Sequence, residues 1–440
     1  MRIVSLLPLV VACTTTNVYN QQFITEPPVE TGDSGEGIPV VPEGQIFEDV
    51  DGAPKLNAYT DEMTVDPFTN DGNLYWFSVS DEQLAAMNTA FTNAGSSGYY
   101  YYEVGNNDAY ADHLVVSDAV SGQTADYGKV QVAVVGESTG MVWSDSSIPN
   151  LSVDMDEFQD GLRVGDSEHL RFNNGMISSI FREALALDVF SQLDYPAPRT
   201  AFAWVGGSVW GSDVTVPYTL VESYHKEGWC EQHADKFGGG CANIWEGSGD
   251  ISTIGTQCQE KECDNTNYDL LVATLAANPK DGYTATQDSI DWGMVQQHMC
   301  LDWVLWIGDD PFHNSNNVVL VEGLDGRFRL LPYSTDISAG QTWYQNTALY
   351  GNSKLANVCV HDADCWAQTI ATCESTIDAF QALDPVGMVN DVYARLSAQG
   401  MLRDGDEDTY LELQEWYTTR AAEGNLETEL ELYRADQSPT

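Results

Sequence analysis

The stretch that decides the fold runs from Asp309 to Asp336 and reads DDPFHNSNNVVLVEGLDGRFRLLPYSTD. It begins as an acidic loop that ends in the amide pair Asn316-Asn317. Two runs rich in Val, Leu and Phe follow, separated by a turn at Asp325-Gly326, and the second run leads to the carboxylate of Asp336. Short apolar runs on either side of an Asp-Gly turn are typical of a β-hairpin. The stretch therefore predicts a hairpin with acidic and amide groups at both ends.

This order of side chains has a chemical interpretation. In kinases an Asp orients the attacking hydroxyl group, an Asn a few residues later holds a metal, and a second Asp after a hairpin holds Mg²⁺. An ordinary hairpin with polar ends has the same spacing, so the spacing alone leaves both interpretations open.

The composition bounds the class of protein. A chain of 440 residues is long enough for one large or two ordinary domains, and 43% apolar residues with 12 Trp, 21 Tyr and 14 Phe can fill a core. Intrinsic disorder of the whole chain is therefore excluded. The net charge of −49, from 67 acidic and 18 basic residues, excludes nucleic-acid binding and favours metal cations. Such a surface fits a saline habitat and fits equally well a surface that is only very soluble.

The N-terminus predicts export. An apolar run at 3–12 follows Met1-Arg2 and ends at Cys13. The run is too short to span a bilayer and fits the core of a signal peptide. A small residue before Cys is the pattern of a bacterial lipoprotein cleavage site, so we expect residues 1–13 to be a lipoprotein signal peptide and Cys13 to be lipidated. The alternatives are an ordinary signal peptide and a short apolar start without a function.

This interpretation places the chain at the bacterial cell envelope, on the outer membrane or surface, with the membrane contacted only through the lipid anchor. Residues 14–68 are acidic and rich in Pro, Gly and Thr, which predicts a tether between the anchor and the folded part.

The remaining cysteines agree with export. Eight is an even number, which suits four disulfides in an oxidising compartment. Three close pairs, 230/241, 258/263 and 359/365, are each able to close a small loop, but the connectivity stays open. Zinc is the competing interpretation, and it lacks a Cys-x₂-Cys pair. The eight residues are Cys230, Cys241, Cys258, Cys263, Cys300, Cys359, Cys365 and Cys373.

The order of hydrophobic patterns predicts an α+β fold of two lobes, with a β-rich first half and an α-rich second half. The expected first lobe spans about 69–225, a disulfide-rich insertion spans 228–265, and the second lobe spans 266–440. The predicted strands are 74–79, 99–104, 129–135, 151–155, 201–205 and 216–223, and the predicted helices are 81–90, 178–193, 289–306, 362–383 and 408–424.

Three blocks carry a resemblance to a known family. They read LRFNNG at 170–175, FREALALDVF at 181–190 and PAPRTAF at 196–202, and together they resemble the CotH kinase family of spore-coat-type and secreted bacterial proteins. The YTLVE stretch at 218–222 and the block at 309–340 are also similar to that family. The resemblance covers roughly residues 70–425, and it implies an atypical protein-kinase-like fold.

The resemblance implies roles for particular residues. Asp310, or Asp309 in a shifted register, matches the catalytic-loop Asp. Asp336 and Asn317, with Asn316 beside it, match metal ligands. These hard oxygen donors suit Mg²⁺ or Mn²⁺ with ATP. The implied activity is phosphoryl transfer to a protein substrate, such as a surface or coat partner, and the oligomeric state stays open.

One further residue is implied at the nucleotide. Glu222, the last residue of the YTLVE stretch, matches a recurrent Glu of the family and is assigned to the nucleotide site.

The chain departs from the family where a base should meet the phosphates. Residues 148–153 contain no Lys or Arg, and the glycine turn at 136–139 reads GEST. Lys129, Arg163 and Arg171 are the candidates for a substitute. Because losing a close cation in a partly dry site costs several kcal/mol, we also consider a catalytically degenerate pseudokinase that serves as a surface structural or binding lipoprotein.

A second cation site is suggested near the C-terminus. Asp404, Asp406, Asp408 and Glu415 have the spacing of an EF-hand calcium loop, but Thr409 stands where that loop needs Gly. A calcium-dependent adhesion or structural protein is the function class that this motif would support. The alternative is an acidic first turn of the last helix, stabilised by the helix dipole.

Overall fold

The computed structural model describes residues 66–435, except for 95–108, 123, 137–140, 176–178, 211–213, 257, 259–262, 279–280, 314, 341–347 and 352. Four predicted features lie outside the described residues: the signal peptide with Cys13, nearly all of the tether, the strand at 99–104 and the turn at 137–140. No described helix is long and apolar enough to cross a membrane.

The first half of the chain forms a nine-stranded sheet with the strand order β2-β5-β6-β7-β9-β8-β1-β3-β4. The pairing of β1 with β8 is parallel, and the other pairs in this sheet are antiparallel. The strands are β1 (Asn73–Ser78), β2 (Tyr110–Ala111), β3 (His113–Ser117), β4 (Thr124–Asp126), β5 (Val130–Val135), β6 (Asn150–Asp154), β7 (His169–Asn173), β8 (Thr200–Gly207) and β9 (Thr215–Glu222).

The second half is mainly helical and contains a three-stranded antiparallel sheet with the order β10-β11-β12. These strands are β10 (Cys241–Gly247), β11 (Val318–Gly323) and β12 (Phe328–Leu331). The β11–β12 pair is the hairpin predicted from the DDPFHN stretch. The α-helices of the described residues, in both halves, are α1 (Asp81–Ala94), α2 (Ile180–Gln192), α3 (Thr266–Ala277), α4 (Gly282–Thr286), α5 (Trp292–Leu305), α6 (Lys354–Val360), α7 (Ala363–Ala382), α8 (Pro385–Ala398), α9 (Asp406–Arg420) and α10 (Asn425–Ala435).

The predicted α+β class, with a β-rich first half and an α-rich second half, is therefore confirmed. Strand β7 shows how the sequence positions the polar residues. Leu170 and Phe172 are fully buried in the core of the large sheet. Because side chains alternate across a strand, His169, Arg171 and Asn173 share the opposite face. We call these three residues the polar row of β7.

Helix α2 follows β7 and packs between the two halves. The hydroxyl of Ser179 caps the helix by accepting a hydrogen bond from the backbone N–H of Phe181. Nearly all of the helix is buried, including Arg182 and Glu183. Arg182 donates to the backbone carbonyls of Ser338 and Ala339, both at 2.8 Å, so α2 is fixed to the segment that follows β12.

All eight described cysteines form disulfides. The three predicted close pairs are present, and a fourth bond joins Cys300 in α5 to Cys373 in α7. Zinc ligation by these residues is therefore excluded, and the four bonds are consistent with an oxidising, exported environment.

The segment 228–265 belongs to the second sheet. It carries β10, whose residues from Cys241 to Gly247 pair with β11, and it places Trp245 in the core. The expectation of an insertion missed this role, because a cysteine- and glycine-rich stretch hides the apolar residues of the strand.

The predicted calcium loop at 404–415 is not formed. Helix α9 begins at Asp406 and continues to Arg420, so Asp408 and Glu415 lie on a helix and do not surround an ion. An EF-hand needs a loop of about 12 residues at this place. Three acidic residues in the first turn match the positive end of the helix dipole, which explains the same spacing without an ion.

Candidate functional site

One member of the polar row of β7, Arg171, lines a cleft between the large sheet and the segment after β12. Arg171 donates from Nη2 to Oε1 of Glu246 at 2.9 Å, and its guanidinium lies 4.6 Å from the ring centre of Tyr333. Asn173 donates from Nδ2 to Oε2 of Glu183 at 2.6 Å. The row therefore presents one cation and one amide, and each contacts an acid from another element.

About 300 Å³ of space in and above this cleft is free of protein atoms, and that volume includes open solvent. Among the described residues that line it, Arg171 is the only basic one. The acidic lining residues come from α2, β9 and β10, and a tyrosine and a serine from the segment after β12 complete the rim. The polar and charged lining residues are Arg171, Glu183, Glu222, Ser223, Tyr224, Glu246, Tyr333 and Ser334.

Three carboxylates repel one another near this cleft. Burial, and then the charge of Asp336, raise the pKa of Glu183 to about 7, although Asn173 opposes the shift. The pKa of Asp336 is raised to about 6. Burial is the main cause and the charge of Asp309 adds to it, whereas the hydroxyl of Ser334 opposes the shift through a 3.1 Å hydrogen bond. The group holds more negative charge than its surroundings neutralise, which is the electrostatic condition for binding a cation.

The two candidates for the catalytic-loop Asp have different surroundings. Asp310 is buried, and its carboxylate accepts three hydrogen bonds: from the N–H groups of Phe312 and His313 at 2.6 and 2.7 Å, and from Nδ1 of His313 at 2.5 Å. Asp310 therefore organises the loop. Asp309 is the residue whose charge acts on Asp336, so the geometry favours Asp309 at the site.

The amide pair holds Asp309 in place. Asn316 donates from Nδ2 to both carboxylate oxygens of Asp309, at 3.0 and 3.1 Å, and Asn317 donates to its backbone carbonyl at 2.9 Å. Asn317 has a φ of 51°, a left-handed conformation that Asn tolerates better than most residues. The amide oxygens and the carboxylates of Asp309 and Asp336 are hard donors, so these residues fit Mg²⁺ or Mn²⁺.

Glu222 has a structural partner. It accepts from the backbone N–H and from Nε of Arg199 at Oε2, at 3.0 and 3.1 Å, and from Nη2 at Oε1, at 2.7 Å. Arg199 also contacts Asp66 and Asp166, each at 3.1 Å. We call Arg199 and its three acids the Arg199 cluster. Because both oxygens of Glu222 contact the guanidinium, the main role of Glu222 in this structure is to stabilise the Arg199 cluster.

The structure separates the three candidate bases. Lys129 lies 3.5 Å from the ring centre of Tyr110, and Arg163 forms an ion pair with Glu168. Neither residue lines the cleft, whereas Arg171 does. From the sequence, Lys129, Arg163 and Arg171 were equal candidates, because none of them lies where the resemblance expects a base.

Glu183 is the site residue that sequence reasoning missed. It appears in the block at 181–190 only as one letter of the resemblance. The signal was present, since Glu183 lies three residues after Ile180 and four before Leu187, within the apolar stripe of α2. An acid inside such a stripe is expected to be buried, and Glu183 is 4% exposed. A buried acid needs a partner or a function.

Comparisons with known proteins add little to this geometry. No protein-family model matches the chain, and no curated protein matches it. Among solved structures, HipA of Shewanella oneidensis MR-1, from a toxin–antitoxin complex of HipA, HipB and operator DNA, is similar over 70% of this chain, with 10% identity and a TM-score of 0.28. The similarity spans 64% of that chain, less than two thirds of its length. A similarity of this size assigns neither a family nor a function.

Proposed function

We propose that the chain is a phosphotransferase with a CotH-like, protein-kinase-like site, which binds ATP with Mg²⁺ or Mn²⁺ in the cleft and phosphorylates a protein. The observation that supports this most is the position of Arg171. It supplies a positive charge in the cleft of a chain that lacks a base at 148–153. Phosphoryl transfer depends mostly on positioning and on neutralising charge, so one guanidinium and a few carboxylates are a sufficient set.

The polar row of β7 has a role in this proposal. Arg171 contacts the phosphates, and its planar guanidinium is able to donate two parallel hydrogen bonds to phosphate oxygens. Glu183 lies on the helix that follows the same strand, as the Glu that pairs with the strand Lys does in protein kinases. Asn173 orients Glu183 through its 2.6 Å hydrogen bond.

In this proposal the metal and the acceptor bind beside the cleft, at residues of the segment around the β11–β12 hairpin. Asp336 and Asn317 are the proposed ligands, and Mg²⁺ bound there would neutralise charge on the β- and γ-phosphates. Asp309, fixed by Asn316, accepts the proton of the acceptor hydroxyl. We further propose that the protein acts after export, anchored by lipid at Cys13, on a surface or coat partner.

A pseudokinase is the second candidate function, and the surroundings of Arg171 favour it. Its guanidinium is already paired with Glu246 and lies over Tyr333. ATP would have to compete with that carboxylate for the guanidinium. If the competition fails, the chain is a surface structural or binding protein with a kinase-like site.

Nucleotide binding by the full chain tests the proposal. Thermal unfolding is measured with ATP and Mg²⁺ or Mn²⁺ and with each metal alone, for the wild type, Arg171→Gln and Asp336→Asn. A hundredfold excess over the dissociation constant stabilises the protein by about 2.7 kcal/mol. We expect a metal-dependent nucleotide shift in the wild type that both variants lose.

Matched controls change exposed residues of the same types. Arg327→Gln and Asp288→Asn should keep the full shift, because Arg327 and Asp288 are exposed and neither lines the cleft. No shift at millimolar ATP, or an equal shift with metal alone, would contradict the active kinase. A retained shift without transfer of labelled γ-phosphate to protein would leave the pseudokinase.

A further inference from the structure

The third member of the polar row, His169, meets two acids on the neighbouring strand. Nδ1 of His169 lies 3.9 Å from Oδ2 of Asp154, and one ligand atom from each of His169, Asp154 and Asp156 lies within 4.8 Å of the other two. A separation of 3.9 Å is too long for a hydrogen bond. Two ligands that share one ion at about 2.1 Å lie about 3 to 4 Å apart, so this gap has the size that a common metal ion produces.

The backbone prepares the acids for this arrangement. Oδ1 of Asp154 accepts hydrogen bonds from the backbone N–H groups of Asp156 and Glu157, at 3.1 and 3.2 Å. These bonds fix the carboxylate so that Oδ2 faces the imidazole. His169 and Asp154 are also paired residues in the β6–β7 register, so the main chain sets their separation.

A second imidazole fixes the ring of His169. His225 stacks on it with ring centres 3.5 Å apart and an angle of 7° between the planes. His225 is 7% exposed, so the two stacked rings are held among packed residues and the ring of His169 is restricted in its rotation. Metal-binding histidines are commonly oriented by such outer contacts.

We propose that Asp154, Asp156 and His169 bind one divalent transition-metal ion, of the class of Zn²⁺ and Mn²⁺, between β6 and β7. The class follows from the donors: an imidazole nitrogen suits Zn²⁺ and its neighbours, whereas Mg²⁺ and Ca²⁺ prefer oxygen ligands alone. The side chains of Asp154 and His169 are 13% and 10% exposed, so a bound ion is largely shielded from water. This site shares no residue with the proposed nucleotide site.

The ion has a structural role in this proposal. His169 lies two residues before Arg171 on the same face of β7, so an ion that joins β6 to β7 stiffens the strand that carries the cleft cation.

A titration with Co²⁺ tests the proposal, because its visible absorption reports the ligands directly. The full chain is freed of metal with a chelator and titrated in about 1 M NaCl, where the Debye length of about 3 Å suppresses diffuse binding to a surface of charge −49. We expect saturation at one equivalent and displacement of Co²⁺ by Zn²⁺. Asp156→Asn and His169→Gln should each weaken the binding of Co²⁺ at least tenfold.

The controls remove the same groups elsewhere. Asp160→Asn changes an exposed acid four residues after Asp156, and His361→Gln removes an exposed imidazole elsewhere in the molecule. Both should bind Co²⁺ as the wild type does. Equal affinity in all variants, or no saturable absorption, would overturn the proposal. Displacement of Co²⁺ by Ca²⁺ or Mg²⁺ as readily as by Zn²⁺ would overturn the ion class. If His169→Gln does not fold, the result for Asp156→Asn decides.

Discussion

Glu183 in the cleft and Glu222 in the Arg199 cluster are equally buried, each 4% exposed, yet their surroundings differ. Glu222 accepts three hydrogen bonds from Arg199, which oppose the effect of burial on its pKa. Glu183 accepts one from an amide and faces the charge of Asp336, and its pKa rises to about 7. Equal burial therefore has a different outcome when the hydrogen-bond donor is an amide and not a guanidinium.

This difference shows where a chain with 18 bases and 67 acids places its positive charge. Several arginines hold the fold together through contacts with carbonyls or carboxylates. Glu183 in the cleft accepts a hydrogen bond from an amide and Asp336 accepts one from a hydroxyl, so the region around these two carboxylates is where a cation from solution is expected to bind. The arginines are Arg182, Arg199, Arg329, Arg395, Arg403 and Arg420.

Removing the cation of the Arg199 cluster should have the largest effect. Arg199→Met leaves Glu222 buried without its partner, and breaking a buried pair on one side costs about 3 to 5 kcal/mol. Urea unfolding at pH 7 measures the loss of free energy of unfolding. Arg327→Met, a change at an exposed arginine, is the control and should differ little from the wild type. A loss below about 1 kcal/mol would show that the cluster does not stabilise Glu222.

Removing the carboxyl group of Glu183 should raise the free energy of unfolding, and the size of this increase should depend on pH. The folded pKa of Glu183 is raised from 4.5 to about 7, so its contribution to stability is full below pH 4.5 and is lost as the pH rises through 7. Glu183→Gln should therefore become more stable relative to the wild type by about 2 to 3 kcal/mol between pH 5 and pH 8. Urea unfolding at both values measures the change.

Two variants check this interpretation. Glu231→Gln, at an exposed position, should show no such dependence on pH. Glu222→Gln should lose stability at pH 8, because Arg199 keeps its charge and loses its main acceptor. If Glu183→Gln and Glu222→Gln behaved alike, the contrast between the two regions would be wrong.

The smallest effect is expected for an exposed ion pair. Lys236 lies 2.8 Å from Asp194, whose side chain is 88% exposed. Exposed pairs contribute about 0 to 1 kcal/mol and weaken with salt. Lys236→Ala should therefore change the free energy of unfolding by less than about 1 kcal/mol, and less still in about 1 M NaCl. A loss as large as that of Arg199→Met would show that burial does not decide the value of a cation here.

Local patterns predicted much of the fold from the sequence. Alternation of apolar residues located β1, β5, β6, β8 and β9, and helical spacing with a serine cap located α2. The parallel pairing of β1 with β8 was beyond such reasoning, because it joins Asn73 to Ala203 across 130 positions. Strand β10 was missed because its apolar residues lie among cysteines and glycines.

The candidate site was predicted in part. The carboxylates at 309 and 336 follow from the hairpin order, but the choice between Asp309 and Asp310 depends on which one the loop backbone binds. Arg171 was one of three equal candidates. The alternation of side chains predicts which face of β7 carries Arg171, but it does not predict which other elements pack against that face. The acids at 404–415 left two interpretations open, because a helix N-terminus and a calcium loop favour the same residues, and the structure has the helix.

The bond between Cys300 and Cys373 has a consequence for biosynthesis. The other three pairs lie 11, 5 and 6 positions apart, whereas this pair lies 73 apart. A growing chain that ends between Cys365 and Cys373 carries the Cys300 thiol without its native partner. Mispairing of Cys300 with Cys359 closes a loop of 59 positions, against 6 for the native Cys359–Cys365 pair, a difference of about 2 kcal/mol in loop entropy. Once Cys365 has been synthesised, the short native loop therefore protects Cys300 from this mispairing.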